Sequence, residues 1–282
     1  MKIIAVSNIK GGVGKTTTAV NLAYLCAAGG RRTLLWDLDP QGGATYVLGI
    51  DPNGHEAASA KKLLAGKCNV PELILGTRYV NLEVLPSNLS YRKFDIHLNA
   101  HKKPTERLLK MSRSLPEVYD VLFLDCPPGI SLLSENVLHA ADAVVVPLLP
   151  TPLSLRMLVQ LRDFIDRERW EDLLLLPFFS MVDIRRSLHR ELVASTRAAF
   201  AGILDTEVPY WSEIERMSLY RAPLPAVSPS GRAAPIYAAL WREIAEQTGK
   251  HRPDVAPAAA AATSLQDASD STGEPVSSAV SG

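Results

Sequence analysis

The sequence predicts a doubly wound α/β domain, a mostly parallel β-sheet with helices on both faces. Three observations carry the prediction. Short apolar runs recur along the chain, as in strands buried on both sides. Segments with apolar residues at three-and-four spacing lie between them, as crossover helices do. The stretch NIKGGVGKTTT (8–18) joins the first apolar run to the first helical segment through a glycine-rich turn.

In chain order, residues 2–7 (KIIAVS) read as the first strand and 16–28 as the first helix. Further strands are expected at 33–38, 82–85, 118–125, 143–148, 173–180 and 207–210, with helices at 131–141, 153–170, 187–202 and 234–248. On the 153–170 helix, Leu155, Leu158, Val159 and Leu161 are expected to form one packing stripe. Residues 1–250 form a single folded domain in this reading. Residues 251–282, rich in Ala, Ser and Pro with almost nothing large to bury, read as a disordered tail.

Composition narrows the function classes. Hydrophobic residues make up 47%, and thirty basic side chains balance thirty acidic ones, so net charge names no partner. Attraction to nucleic acid or membrane would need a local patch. Cys26, Cys68 and Cys126 are odd in number and widely spaced, which fits a reducing cytoplasm. No basic region followed by an apolar one opens the chain, and no run of about eighteen apolar residues could span a bilayer.

The 8–18 stretch nearly matches the phosphate-loop pattern G-x-x-x-x-G-K-[ST]. Aligned on Gly14-Lys15-Thr16, the pattern asks for glycine at position 9, where this chain has Ile9. Gly11, Gly12 and Gly14, with Val13 between them, would let consecutive N–H groups converge on phosphate oxygens at a helix N-terminus. Lys15 would reach the β- and γ-phosphates, the Thr16 hydroxyl would ligate Mg²⁺, and Thr17 would add a contact further along. Lys10 is a second lysine with no role in that scheme.

WDLDPQGG (36–43) and FLDCPP (123–128) each end an apolar run, so both open onto the crevice at the strand C-termini. Asp125 is the candidate to hold Mg²⁺ through its water shell. Asp39 is the candidate to orient the attacking water, and Asp37 to hydrogen-bond near the metal or fix the loop.

KGGVGKTT, DLDPQGG and DCPP, in this order, resemble the ParA/MinD family of deviant Walker ATPases, closest to its ParA branch. The resemblance runs from Met1 to about Gly249. It implies a P-loop NTPase fold, ATP as substrate and Mg²⁺ as cofactor. It also implies a role for Lys10, which in this family reaches across a dimer interface to the partner subunit's nucleotide. ATP binding would then make a homodimer and hydrolysis would dissolve it.

The resemblance further implies nonspecific DNA binding by the ATP-bound dimer over the nucleoid, and an adaptor protein on a cargo that stimulates hydrolysis. Binding of that kind needs Lys and Arg near phosphates. Two places offer them: residues 91–113, with seven Lys/Arg against two acids, and Arg185, Arg186, Arg216, Arg221 and Arg232 in the C-terminal third. Each is also readable as a solvated face. Where the family carries a basic segment after a strand ending in I-P, VPYWSEIERMSLYRAP (208–223) has Glu213 and Glu215 with Tyr210 and Trp211. A protein partner is the alternative occupant.

A MinD-like membrane switch would need a basic amphipathic helix at the C-terminus, which IYAALWREIAEQTG does not offer. Metal-cluster carriers of this fold need paired cysteines, and lone Cys126 lacks a mate. Small-molecule ligases usually need additional domains. Among His55, His97, His101, His139, His189 and His251, only His97 and His101 have ligand-like spacing, and the adjacent lysines and Pro104 favour an exposed loop there.

Overall fold

The computed structural model describes residues 1–51, 59–113, 115, 117–170 and 172–249. Alternating apolar residues explain its centre. On β1 (Lys2–Val6), Ile3 and Ala5 join one core layer while Ile4 and Val6 join another, so both faces of the strand are buried. The same alternation runs through β2 (Thr33–Asp37), β5 (Val121–Asp125) and β6 (Ala143–Leu148).

The described strands form one eight-stranded sheet in the order β3-β4-β2-β5-β1-β6-β7-β8. β4 is Leu82–Leu85, β7 is Leu174–Val182 and β8 is Val208–Pro209. All neighbours are parallel except the edge strand β3 (Leu75–Gly76), which runs antiparallel to β4. From β1 the chain winds first toward β2 and β4 and later toward β6, so the order reverses beside β1. That switch point opens a crevice at the strand C-termini.

On one face α1 (Lys15–Ala28), α2 (Gly43–Val47) and α12 (Ala234–Gln247) bury apolar residues against Ile4, Phe123 and Phe178. On the other lie α3 (Ala60–Leu64), α4 (Phe94–Asn99), α5 (Arg107–Ser112), α6 (Leu132–Ala140), α7 (Pro152–Arg167) and α8 (Ser187–Ala199). Short helices α9 (Ser212–Glu215), α10 (Met217–Tyr220) and α11 (Leu224–Val227) lead into α12. Asn21 on α1 anchors this run: its Oδ1 accepts from Leu224 N at 2.8 Å and its Nδ2 donates to Thr17 O at 2.9 Å.

Several expected boundaries move. The 118–125 strand begins only at Val121, because Asp120 turns its carboxylate to Arg32 N at 2.9 Å and ends the loop there. β7 runs past residue 180 to Val182 through a bulge at Met181, whose φ is +55°. The last expected strand shrinks to Val208–Pro209 at the sheet edge, where proline has no N–H to extend a ladder. Val159 is 49% exposed and leaves the packing stripe of α7. His97 lies on α4 rather than in a loop, with His101 just beyond it. The tail at 251–282, with His251, and His55 lie outside the described residues.

Candidate nucleotide site

The loop after β1 is built from its own polar groups. Asn8 is buried, and its Nδ2 donates to Pro147 O at 2.7 Å while its Oδ1 accepts from Lys10 N at 2.9 Å. Gly129 N donates to Ile9 O at 2.9 Å, which ties the loop to the segment after Asp125. Gly12 and Gly14 have φ of +69° and +91°, the left-handed region that other residues enter at a cost. A Cβ on Gly14 would also stand 3.3 Å from Ser180 Oγ.

Gly14 caps α1, and the first turn of that helix has neither a side-chain cap nor an acidic residue. Its leading N–H groups are therefore capped by no side chain of their own turn. Lys15 is 7% exposed, and its Nζ donates to Lys10 O at 3.0 Å. Burial lowers its pKa; Asp125, Cys126 and Asp39 nearby oppose the shift. Lys10 thus has both its N–H and its carbonyl engaged inside the loop, and the residue is half-exposed. Thr16 meets the start of α2, where a Cβ on Gly43 would lie 3.1 Å from Thr16 Cγ2.

Asp37 and Asp125 end neighbouring strands as register partners, and both are fully buried. They share parity with Leu35 and Phe123, which pack on the α1 side, so both carboxyls belong to that face. Asp37 is satisfied: Oδ2 accepts from Thr45 N at 2.8 Å and Thr45 Oγ1 at 2.7 Å, and Oδ1 accepts from Asp39 N at 3.1 Å. Burial pushes its pKa up to about 6 against those hydrogen bonds.

Neither oxygen of Asp125 has a hydrogen-bond partner among the described residues. The Thr16 hydroxyl faces the carboxylate without completing a bond. Burial and the Asp37 charge raise the Asp125 pKa well above the usual range, while Thr16 and Lys15 pull it back. Asp39 lies beyond the strand, half-buried, with its Oδ1 accepting from Gln41 N at 2.9 Å.

The structure thus brings Lys10, Gly11, Gly12, Val13, Gly14, Lys15, Thr16, Asp37, Asp39 and Asp125 to one end of the sheet. Four supporting residues have no role in the sequence analysis: Asn8 and Gly43, at the ends of the two motif stretches, and Thr45 and Ser87, whose N donates to Thr45 Oγ1 at 3.2 Å. The Gly42-Gly43 pair was the one sequence hint of a close approach.

The arginines do not gather in the same way. Arg185 is exposed, and its guanidinium donates two hydrogen bonds to Asp183, at 2.8 and 2.9 Å, beside one from its N–H at 3.1 Å. Arg186 and Arg216 are exposed. Arg221, at φ +48°, turns onto α2: it donates to Tyr46 O and Ile50 O, each at 3.2 Å, and stacks on the Tyr46 ring. Arg232 stacks on Trp211, and Glu213 accepts from Ser228 Oγ at 3.0 Å. No group of three His, Cys, Asp or Glu among the described residues could cage a metal, His97 and His101 included.

Residues 1–171 match a family model described as an AAA domain. The chain is 32% identical over 249 residues to the sporulation initiation inhibitor protein Soj of Bacillus subtilis, covering 86% of this chain and 98% of that protein. It is 33% identical over 252 residues to the chromosome partitioning protein ParA of Myxococcus xanthus, covering 86% and 87%. Among solved structures it resembles the cobyrinic acid a,c-diamide synthase of Mycobacterium smegmatis with bound ADP and magnesium. That likeness has a TM-score of 0.70 and 27% identity over 90% of this chain and 98% of the other. With the loop, the two acidic strand ends and these relatives in agreement, the chain belongs to the ParA/MinD family of P-loop ATPases.

Proposed function

We propose that this protein is an ATP-hydrolysing switch that dimerises with ATP and segregates or positions a cargo, its dimer binding DNA without sequence preference. One observation carries the nucleotide part: Asp125, a buried carboxylate with both oxygens unmatched, stands beside Thr16 and Lys15 at the uncapped head of α1. Ionising a buried carboxyl that accepts no hydrogen bond is costly, and a hydrated cation next to phosphates would relieve that cost.

In this reading Lys15 and the amides of Gly11, Gly12, Val13 and Gly14 hold the phosphates, with Thr17 adding a contact. Thr16 and, through water, Asp125 hold Mg²⁺, which would neutralise phosphate charge. Asp39 orients the attacking water. Lys10 donates its charge to the nucleotide of the partner subunit; its main chain is already fixed by Asn8 and Lys15, which supports a side chain free to leave the loop.

The name of one relative, a chromosome partitioning protein, favours partition or positioning of a cargo. A cargo-bound adaptor would stimulate hydrolysis, and the site of action would be the cytoplasm over the nucleoid. Membrane attachment is not part of the proposal: α12 spends Tyr237, Leu240, Trp241 and Ile244 on the core, and no described helix is long and apolar enough to cross a bilayer. Exposed Arg186 and Arg216 are the DNA candidates, with Arg185 and Arg221 already engaged within the fold.

A second reading keeps the switch and replaces DNA by a protein partner. Exposed Tyr210 and Ile184 beside Arg185 favour it, as aromatic and arginine anchors do at interfaces.

Sizing chromatography with MgATP or MgADP tests the dimer. Wild type should dimerise with ATP alone, and Lys10→Ala should stay a folded monomer. An unaffected dimer in the variant would remove the trans role.

A further inference from the structure

We propose that the cleft between the end of α4 and the start of α5 is a binding site for the phosphodiester backbone of nucleic acid, separate from the nucleotide loop. The inference rests on the DNA-binding reading above and adds a second contact surface to Arg186 and Arg216. The cleft, of about 300 Å³, is lined by His101, Lys102, Lys103, Glu106, Arg107 and Lys110. It lies with α4 and α5 on the sheet face opposite α1.

Charge is the first argument. Residues 91–113 hold seven Lys and Arg against Asp95 and Glu106 in a chain whose formal charge is zero, so the remainder is net acidic and the field is concentrated here. Both acids are engaged. Glu106 takes Lys103 Nζ at 2.9 Å on each oxygen, and Asp95 Oδ1 accepts from Leu133 N at 2.8 Å. Exposed Lys102 and Lys110 stand at the cleft. His101 feels the same field: burial and the nearby Arg107 lower its pKa.

The second argument is that the cleft is built rather than a chance gathering of surface lysines. Fully buried Asn136 on α6 holds both of its walls: Nδ2 donates to Pro104 O at 2.7 Å, and Oδ1 accepts from Leu108 N at 3.1 Å. Arg107 is pinned by a bond from Nη2 to Leu64 O, while its Nε is buried without a partner among the described residues. A preorganised cationic cleft loses little entropy when an anion enters it. Five of its six lining residues carry a charged head group, four of them cationic, so charge selects the occupant. A phosphodiester strand fits that chemistry better than a membrane or an amphipathic peptide.

Fluorescence anisotropy of the full chain with MgATP and a labelled random-sequence duplex, across a salt series, tests the proposal. Lys102→Ala/Lys110→Ala should bind roughly tenfold more weakly near 0.1 M salt, and its log–log salt slope should be shallower by about 2. ATP hydrolysis and ATP-dependent dimerisation should be unchanged. Wild-type binding with an unaltered variant slope would overturn this site and leave the DNA reading standing. No wild-type binding at low salt would overturn both. Loss of binding to phosphatidylglycerol vesicles, with duplex binding intact in the variant, would overturn nucleic acid as the ligand.

Discussion

Asp37 and Asp125 sit side by side at the ends of β2 and β5, on the same face of the sheet, yet only Asp37 is hydrogen-bonded. The pair titrates as a unit, and both carboxyls are raised: Asp37 to about 6 by burial, Asp125 by burial and by Asp37. A raised carboxyl binds protons in the folded state that the unfolded state has already released. Stability should therefore fall as pH climbs from about 4 through 6, with Asp125 extending the decline upward. MgATP should flatten that slope, since a cation favours the ionised forms. Urea midpoints between pH 4.5 and 8, with and without MgATP, check both statements.

Asp125→Asn should separate stability from activity. Replacing a buried carboxyl whose raised pKa costs stability at neutral pH should stabilise the nucleotide-free protein by ~1–3 kcal/mol. The same change should slow hydrolysis about 10–100-fold by loosening the metal's outer shell. Urea unfolding and phosphate release measure the two effects, and an Asn variant that is both less stable and fully active would contradict the site.

Gly14→Ala meets two penalties, a left-handed φ of +91° and the Ser180 hydroxyl at 3.3 Å, whereas Gly12→Ala meets only a left-handed φ in open space. Each should lose ~1–2 kcal/mol to backbone strain. Gly14→Ala should lose more than Gly12→Ala in urea unfolding without nucleotide.

Asn21→Ala would strand the buried Leu224 N–H and release α11 from α1. A loss of about 1–3 kcal/mol is expected, the cost of an unsatisfied buried donor. Thermal or urea unfolding of the variant would show it.

Arg221→Ala should cost roughly 1 kcal/mol, because its guanidinium bonds two carbonyls at the end of α2. Arg186→Ala, exposed, should stay within about 0.5 kcal/mol of wild type. Parallel unfolding curves distinguish them.

The sequence alone determined the doubly wound class, the central strands and the phosphate loop. Each rests on local rules: alternating burial marks β1, β2, β5 and β6, and only glycine enters the conformations at positions 12 and 14 without strain. It also named Lys15, Thr16, Asp37, Asp39 and Asp125, because acids ending apolar strands must face the crevice. The short helices at 43–47, 94–99 and 107–112 were illegible, being too brief to show a period. Only tertiary structure decided which acid is satisfied, since Thr45 reaches Asp37 from α2 and no described group completes a bond to Asp125. The same holds for Arg221, drawn onto Tyr46 from far along the chain, and for Asn136, which from α6 fixes Pro104 and Leu108 and so shapes the basic 101–110 segment into a cleft. These outcomes depend on contacts between segments distant in sequence, and no local pattern encodes which partner a side chain will meet.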